Sequence, residues 1–209
     1  IQLYKPYLFV SGLALVLLVF FFYLAFQNTG ALRHSGTGIL NEQAFTFALE
    51  EKIEAGKTFY IIDICIKNPA KMRRLLGEKF SNEVIAELAQ EISECTKENV
   101  FFYTDAFRMI LRSKSEVDKH LPHLQHCFSG ERTKNNVSVT LTHSFYVLEC
   151  PEFAKKIEDI RELDTFLNSQ VLPAIQNGQV VTVDKDIIRN YRRSTAIGTL
   201  IEDALQHDG

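Results

Sequence analysis

The chain has 209 residues, 46% of them hydrophobic, and its 23 basic and 26 acidic side chains leave a formal charge of −3. That length allows one domain of ordinary size with appendages. The near-neutral balance and the lack of a polybasic block exclude an electrostatic nucleic-acid binder, and no nucleic-acid partner is expected. The four cysteines (Cys65, Cys95, Cys127 and Cys150) are scattered without a CxxC pair. This excludes a small disulfide scaffold and reads as reduced thiols in a cytosolic domain.

In chain order, the first feature is Tyr7–Phe26, which carries no charge. At 1.5 Å per residue it spans about 30 Å, enough to cross the hydrocarbon core of a bilayer. Tyr7 and Tyr23 stand near its ends, as aromatic anchors do. A secretory signal peptide is the competing reading, because Lys5 precedes the run; its length and the lack of a small-x-small cleavage site favour a transmembrane helix over residues 7–26. Lys5 and Arg33 balance across the run, so charge does not set its orientation. Because the chain starts at Ile1 rather than Met, an upstream segment is expected. Residues 27–36 read as a juxtamembrane linker.

Asn41 is the expected N-cap of a helix over Glu42–Ala55, with Ala44, Phe45, Ala48, Leu49 and Ile53 on its apolar face. Thr58–Ile66, TFYIIDICI, predicts a central strand buried on both faces. After Asn68-Pro69, helices are predicted over Ala70–Leu76 and Asn82–Cys95. Val100–Leu111 predicts a hairpin, and Ser115–Phe128 a helix, with Pro122 read as the mark of a helix start. Asn136–Leu148 alternates as one strand, Pro151–Leu167 as a helix, Gln179–Val183 as a short strand and Asp184–His207 as an amphipathic helix. This order predicts an α/β sandwich around one sheet containing an antiparallel hairpin.

Thr37-Gly38-Ile39-Leu40-Asn41, followed by Ala44-Phe45, is similar to the LTGLxNR motif that opens GGDEF (diguanylate cyclase) domains. Leu76-Gly77, Ser81-Asn82-Glu83-Val84 and Glu87-Leu88-Ala89 resemble their YGHxxGDEVLxELA. Tyr103-Thr104-Asp105-Ala106-Phe107 takes the place of the five-residue signature, in which Asp105 and Phe107 keep the residue type. The matches are in register without gaps. The resemblance implies a nucleotidyl-cyclase-like sandwich over residues 37–183, with a mostly antiparallel central sheet flanked by helices.

The resemblance also implies where the chemistry of joining two GTP molecules would sit, and those positions differ in type. Magnesium takes oxygen ligands, yet the first metal carboxylate falls on Cys65, a poor ligand for a hard cation. The acid two positions on is Lys67, and the signature's second carboxylate is Ala106. The paired glycines that admit a phosphate fall on Tyr103 and Thr104. Guanine recognition falls on Arg73, which lacks an acceptor, and on Asn82, which keeps one. The RxxD feedback site is Glu94-Cys95-Thr96-Lys97, the acid before the opening motif falls near His34, and that motif's arginine is Glu42.

No catalytic residue, no metal ligand and no cofactor is therefore expected; Mg²⁺ with GTP enters only if nucleotide still binds, with Asn82, Asp105 and Asp63 as candidate contacts. Asp63 shares a strand face with Cys65, so Asp63 and Asp105 form a candidate displaced two-carboxylate site. The plainer alternatives are a strand acid satisfied by its neighbours and an Asx turn residue. His120, His123 and His126 spread over about 120° of a helix, too wide for a tight metal site, and read as a solvated face. Asn136-Val137-Ser138 fits a glycosylation sequon, which matters only outside the cell. Arg192-Arg193, beside Tyr191, read as solvated rather than as headgroup contacts.

Residues 184–209 resemble the connector into an EAL phosphodiesterase domain of tandem proteins. Their apolar face (Ile188, Tyr191, Ile197, Leu200, Ile201, Leu205) is expected to meet a surface beyond this chain. The expectation is a catalytically inactive GGDEF-like regulatory module of cyclic-di-GMP signalling. It would be anchored by a single pass in a bacterial inner membrane with its domain in the cytoplasm, control a downstream EAL-like domain, and pair as a homodimer. The alternatives are a GTP sensor without turnover and an active cyclase using the displaced Asp63/Asp105 site.

Overall fold

A computed structural model describes residues 15–18, 30–134 and 137–207. Among them no helix is long and apolar enough to cross a membrane. The predicted span at residues 7–26 lies outside the described residues except for 15–18, which are helical, and Asn136 of the sequon lies outside them too.

Helix α1 covers Glu42–Glu54, where Asn41 Oδ1 accepts from the Ala44 amide at 3.1 Å while its Nδ2 donates to the Ala31 carbonyl at 2.7 Å. One side chain thus caps the helix and pins the preceding segment. Strand β1, Phe59–Ile66, is paired antiparallel on both sides, which is why its sequence is almost wholly apolar. Helix α2 covers Pro69–Leu76, with Pro at its first position, and Gly77 ends it at φ 79°. Helix α3, Glu78–Thr96, follows at once, four residues earlier than the expected Asn82. Strands β2 (Phe101–Tyr103) and β3 (Ala106–Leu111) form the hairpin.

Helix α4, Lys114–Cys127, starts at the N-cap Ser113, whose side chain accepts from the Glu116 amide. It runs through Pro122, so that proline does not mark a helix start; only the one amide that proline lacks is lost there. The histidines are also corrected in part, since His123 and His126 are exposed but His120 is buried.

The single strand expected over Asn136–Leu148 is two. Strand β4 (Glu131–Lys134) pairs with β5 (Val137–Thr140) in a separate ribbon, and β6 (His143–Cys150) joins the main sheet. Alternation marks extended backbone but does not say which strand it pairs with. Helix α5 begins at Ile157 rather than Pro151 and ends at Phe166, because Asp159 Oδ2 accepts the Lys155 and Lys156 amides at 3.0 and 3.1 Å and so fixes the first turn there. Strand β7 (Val180–Thr182) and helix α6 (Lys185–His207) complete the chain.

The five-stranded sheet has the order β2-β3-β1-β6-β7, with every neighbouring pair antiparallel except β6–β7. Side chains alternate across it. Ile62 and Ile64 of β1, with Phe107 and Phe145, meet Val84, Leu88 and Ile92 of α3 and Leu124 of α4 on one face. Phe59 and Ile61, with Tyr146, meet Phe45 and Leu49 of α1 and Leu163 of α5 on the other. The β2 edge is covered, because the Phe102 amide donates to the Leu40 carbonyl at 2.7 Å. The apolar face of α6, expected to stand free, is partly covered. Ile188 is buried, Tyr191 packs on Phe166 of α5 and its hydroxyl donates to Glu162 at 2.7 Å, whereas Ile197 is exposed.

Candidate functional site

The hairpin turn holds Thr104 at φ 51° and Asp105 at φ 58°, between the paired residues Tyr103 and Ala106. Two successive left-handed residues make the turn type that matches strand twist, normally built from glycine, asparagine or aspartate. Asp105 suits it; Thr104, β-branched and exposed, does not. Thr104→Gly should therefore stabilise the domain by up to about 1 kcal/mol, since relief of left-handed strain (about 1–2) exceeds the extra chain entropy (about 0.5–1). Chemical denaturation checks this, and a loss of stability would contradict it.

The Asp105 carboxylate takes two hydrogen bonds from Arg73 of α2, at 2.7 and 3.2 Å, and its backbone carbonyl accepts the Ile66 amide at 3.0 Å. This ion pair stands between two clefts that share Thr104 and Asp105. One, of about 310 Å³, is lined by His34, Arg73, Glu78 and Asn82. The other, of about 750 Å³, is lined by Cys65, Lys67, Asp164 and Asn168. Asn82 is seated against Gly36, where a Cβ would come within 2.5 Å of its Nδ2. Lys67 Nζ is turned onto the Ile175 carbonyl.

Cys65 and Ala106, where the resemblance puts two metal carboxylates, are direct partners across β1 and β3. The pair carries no charge, for burial, with help from Asp63, pushes the Cys65 thiol up to about 12. The next pair on the same face is Asp63 and Arg108, both buried. Arg108 Nε lies 2.6 Å from Asp63 Oδ2, one terminal nitrogen donates to the Tyr103 carbonyl at 2.9 Å, and the other to Asp164 Oδ2 of α5 at 3.0 Å. The guanidinium sits 3.8 Å from the centroid of the Tyr103 ring. Asp164 Oδ1 also accepts from the Tyr146 hydroxyl and from Asn168, each at 2.8 Å. Burial works against the charge on Arg108, but the Asp63 and Asp164 carboxylates beside it outweigh burial and hold the group protonated. Burial pushes the Asp63 carboxyl up from 3.8 to about 7, against the pull of Arg108.

Asp63 and Asp105 are thus each engaged by a different arginine. Among the described residues no group of three or more His, Cys, Asp or Glu is placed to hold a metal. Sequence reasoning missed Arg108, Asp164 and Tyr146. A signal for the first was present: Arg108 and Asp63 are opposite charges, each inside a strand that is otherwise apolar, and such charges are buried only as a pair. Asp164 lies on an ordinary amphipathic helix and gives no such signal.

No family model matches the chain, and neither does any curated protein. Solved structures do. The coiled-coil and GGDEF domain of DgcB from Caulobacter crescentus, in complex with c-di-GMP, aligns with a TM-score of 0.65 at 17% identity, covering 86% of this chain and 100% of that one. The GGDEF domain of FimX from Pseudomonas aeruginosa aligns at 0.62 and 15%, covering 73% and 99%. The diguanylate cyclase SiaD from Pseudomonas aeruginosa, in complex with its activator SiaC, aligns at 0.61 and 13%, covering 86% and 74%. The chain therefore has a GGDEF-like α/β fold, with a mostly antiparallel central sheet flanked by helices.

Proposed function

We propose that this chain is a GGDEF-like regulatory module of cyclic-di-GMP signalling that does not turn over GTP. The observation that carries the reading is the neutral Cys65–Ala106 pair, backed by the arginines that occupy Asp63, Asp164 and Asp105. A reaction that depends on a magnesium-bound triphosphate needs carboxylates free to hold the ion. In this reading residues 7–26 anchor the module in a bacterial inner membrane, α6 leads towards an EAL-like phosphodiesterase domain, and the module pairs as a homodimer. Incubation of the 209-residue chain with GTP and Mg²⁺ or Mn²⁺ should yield no cyclic di-GMP by mass spectrometry. Product that disappears on Asp105→Ala would overturn the reading in favour of an active site that includes Asp105.

A second reading, a guanine-nucleotide sensor, is favoured by the cleft that presents Asn82 beside Arg73. The Arg73–Asp105 pair is half-exposed, and an exposed pair of this kind is worth about 0.2–1 kcal/mol. Opening it costs a ligand less than a factor of ten in affinity. Calorimetric titration decides: heat saturating with GTP and weakened by Asn82→Ala supports the sensor, and no heat at millimolar GTP removes it.

A further inference from the structure

Away from these clefts, the last turns of α3 and α4 bring two thiols together. Cys95 Sγ and Cys127 Sγ are 3.9 Å apart although 32 positions separate them in sequence. A disulfide bond is about 2.05 Å long, so closure requires the two sulfurs to approach further, and Cys95 is exposed. Cys127 is half-buried. The remaining cysteines have no such partner, since Cys65 lies opposite Ser144 and Cys150 opposite Phe59, at the two ends of the β1–β6 ladder.

The pair is also held in place. Arg132 of β4 donates to both carboxylate oxygens of Glu91, at 2.8 and 2.7 Å, and to the backbone carbonyl of Cys127. Glu91 lies one helical turn before Cys95 on the same face of α3. One guanidinium thus clips the two helix ends together beside the sulfurs, beneath an open cleft lined by Glu94, Cys95, His126 and Cys127. Preorganisation of this kind raises the effective concentration of one thiol at the other.

We propose that Cys95 and Cys127 form a dithiol modification site, converted reversibly to an intramolecular disulfide by exchange with a low-molecular-weight disulfide such as oxidised glutathione. The exposed Cys95 thiolate attacks one sulfur of the reagent, whose other half leaves as a thiolate. Cys127, deprotonated, then attacks the Cys95 sulfur of the mixed disulfide and expels the second glutathione thiolate. Two protein thiols are oxidised, one external disulfide is reduced to two thiols, and the two protein protons pass to the thiolates released. Burial first, and the neighbouring Cys95 second, push the Cys127 thiol up to about 11; once Cys95 is in the mixed disulfide its share of that shift is gone. The resulting bond closes a loop over residues 95–127 that contains the whole β2–β3 hairpin and its signature turn.

The test treats the 209-residue chain with oxidised glutathione, traps free thiols by alkylation and maps peptides without reductant. The expected result is a cross-linked Cys95–Cys127 peptide within a single chain, reversed by dithiothreitol. Cys127→Ser should stop at a glutathione adduct on Cys95, and Arg132→Ala should form the bond several-fold more slowly. A lasting glutathione adduct on Cys95 of the unaltered chain, a disulfide between chains, or two unmodified thiols would each overturn the proposal. Closure at an unchanged rate in Arg132→Ala would overturn the role given to the clip.

Discussion

Replacing Arg108 by methionine is expected to destabilise the domain by about 3–5 kcal/mol, because it leaves the buried Asp63 and its neighbour Asp164 without their counter-charge. For a domain of this size that lowers Tm by roughly 10 °C or more. The loss has a pH signature. Asp63 already titrates above its unfolded value, at about 7 against 3.8, so its contribution to stability is fully present below 3.8 and is lost as pH rises through 7. Removing Arg108 takes away the strongest group that pulls that value down. The deficit of the variant should therefore be smallest in acid and grow as pH rises. Asp63→Asn in the same background should return part of the stability at neutral pH, whereas in the Arg108 background it should be destabilising. Denaturant titrations across pH check both points, and a deficit that does not vary with pH would show that packing, not charge, is what Arg108 supplies.

Placing oxygen ligands at the neutral pair is expected to have an effect of similar size that depends on metal rather than on pH. In Cys65→Asp/Ala106→Glu the two acids face each other across adjacent strands, next to the Asp63–Arg108 pair. Like charges directly opposite are destabilising, and Ala106 is buried, so the metal-free variant should melt well below the parent chain. Mn²⁺ or Mg²⁺ binding only the folded form would return about 2.7 kcal/mol at a hundredfold excess over Kd. The parent chain should show no such metal-dependent shift. If the double variant also ignores millimolar metal, then carboxylates at these two positions are not enough to hold a metal on this fold.

Much of the framework is legible in the sequence. The nearly continuous apolar run Thr58–Ile66 predicts a strand covered on both faces, observed over Phe59–Ile66, and the Asn41 cap and Gly77 stop place helix ends to within a residue. The errors cluster where the local signal has two meanings. Residues 137–148 alternate throughout, yet the chain changes partner between Thr140 and His143. Pro151 is compatible with a helix start, but the start is set later, at the residue whose amide neighbours Asp159 can satisfy. His120 faces the core because its position on α4 does, whatever its polarity.

The site divides along the same line. Sequence by itself determined which side chains stand at the signature positions, and so that Cys65, Ala106 and Lys67 offer no carboxylate; composition at a register position needs no coordinates. Only the tertiary structure decided where the remaining acids are spent. Asp105 meets Arg73 across 32 positions of sequence, Asp63 meets Arg108 across neighbouring strands, and Asp164 reaches the same guanidinium from a helix packed over them. The reason is physical: an ion pair inside a protein depends on distance and on exclusion of water, and neither exists until the sheet has paired and its helices have closed over it.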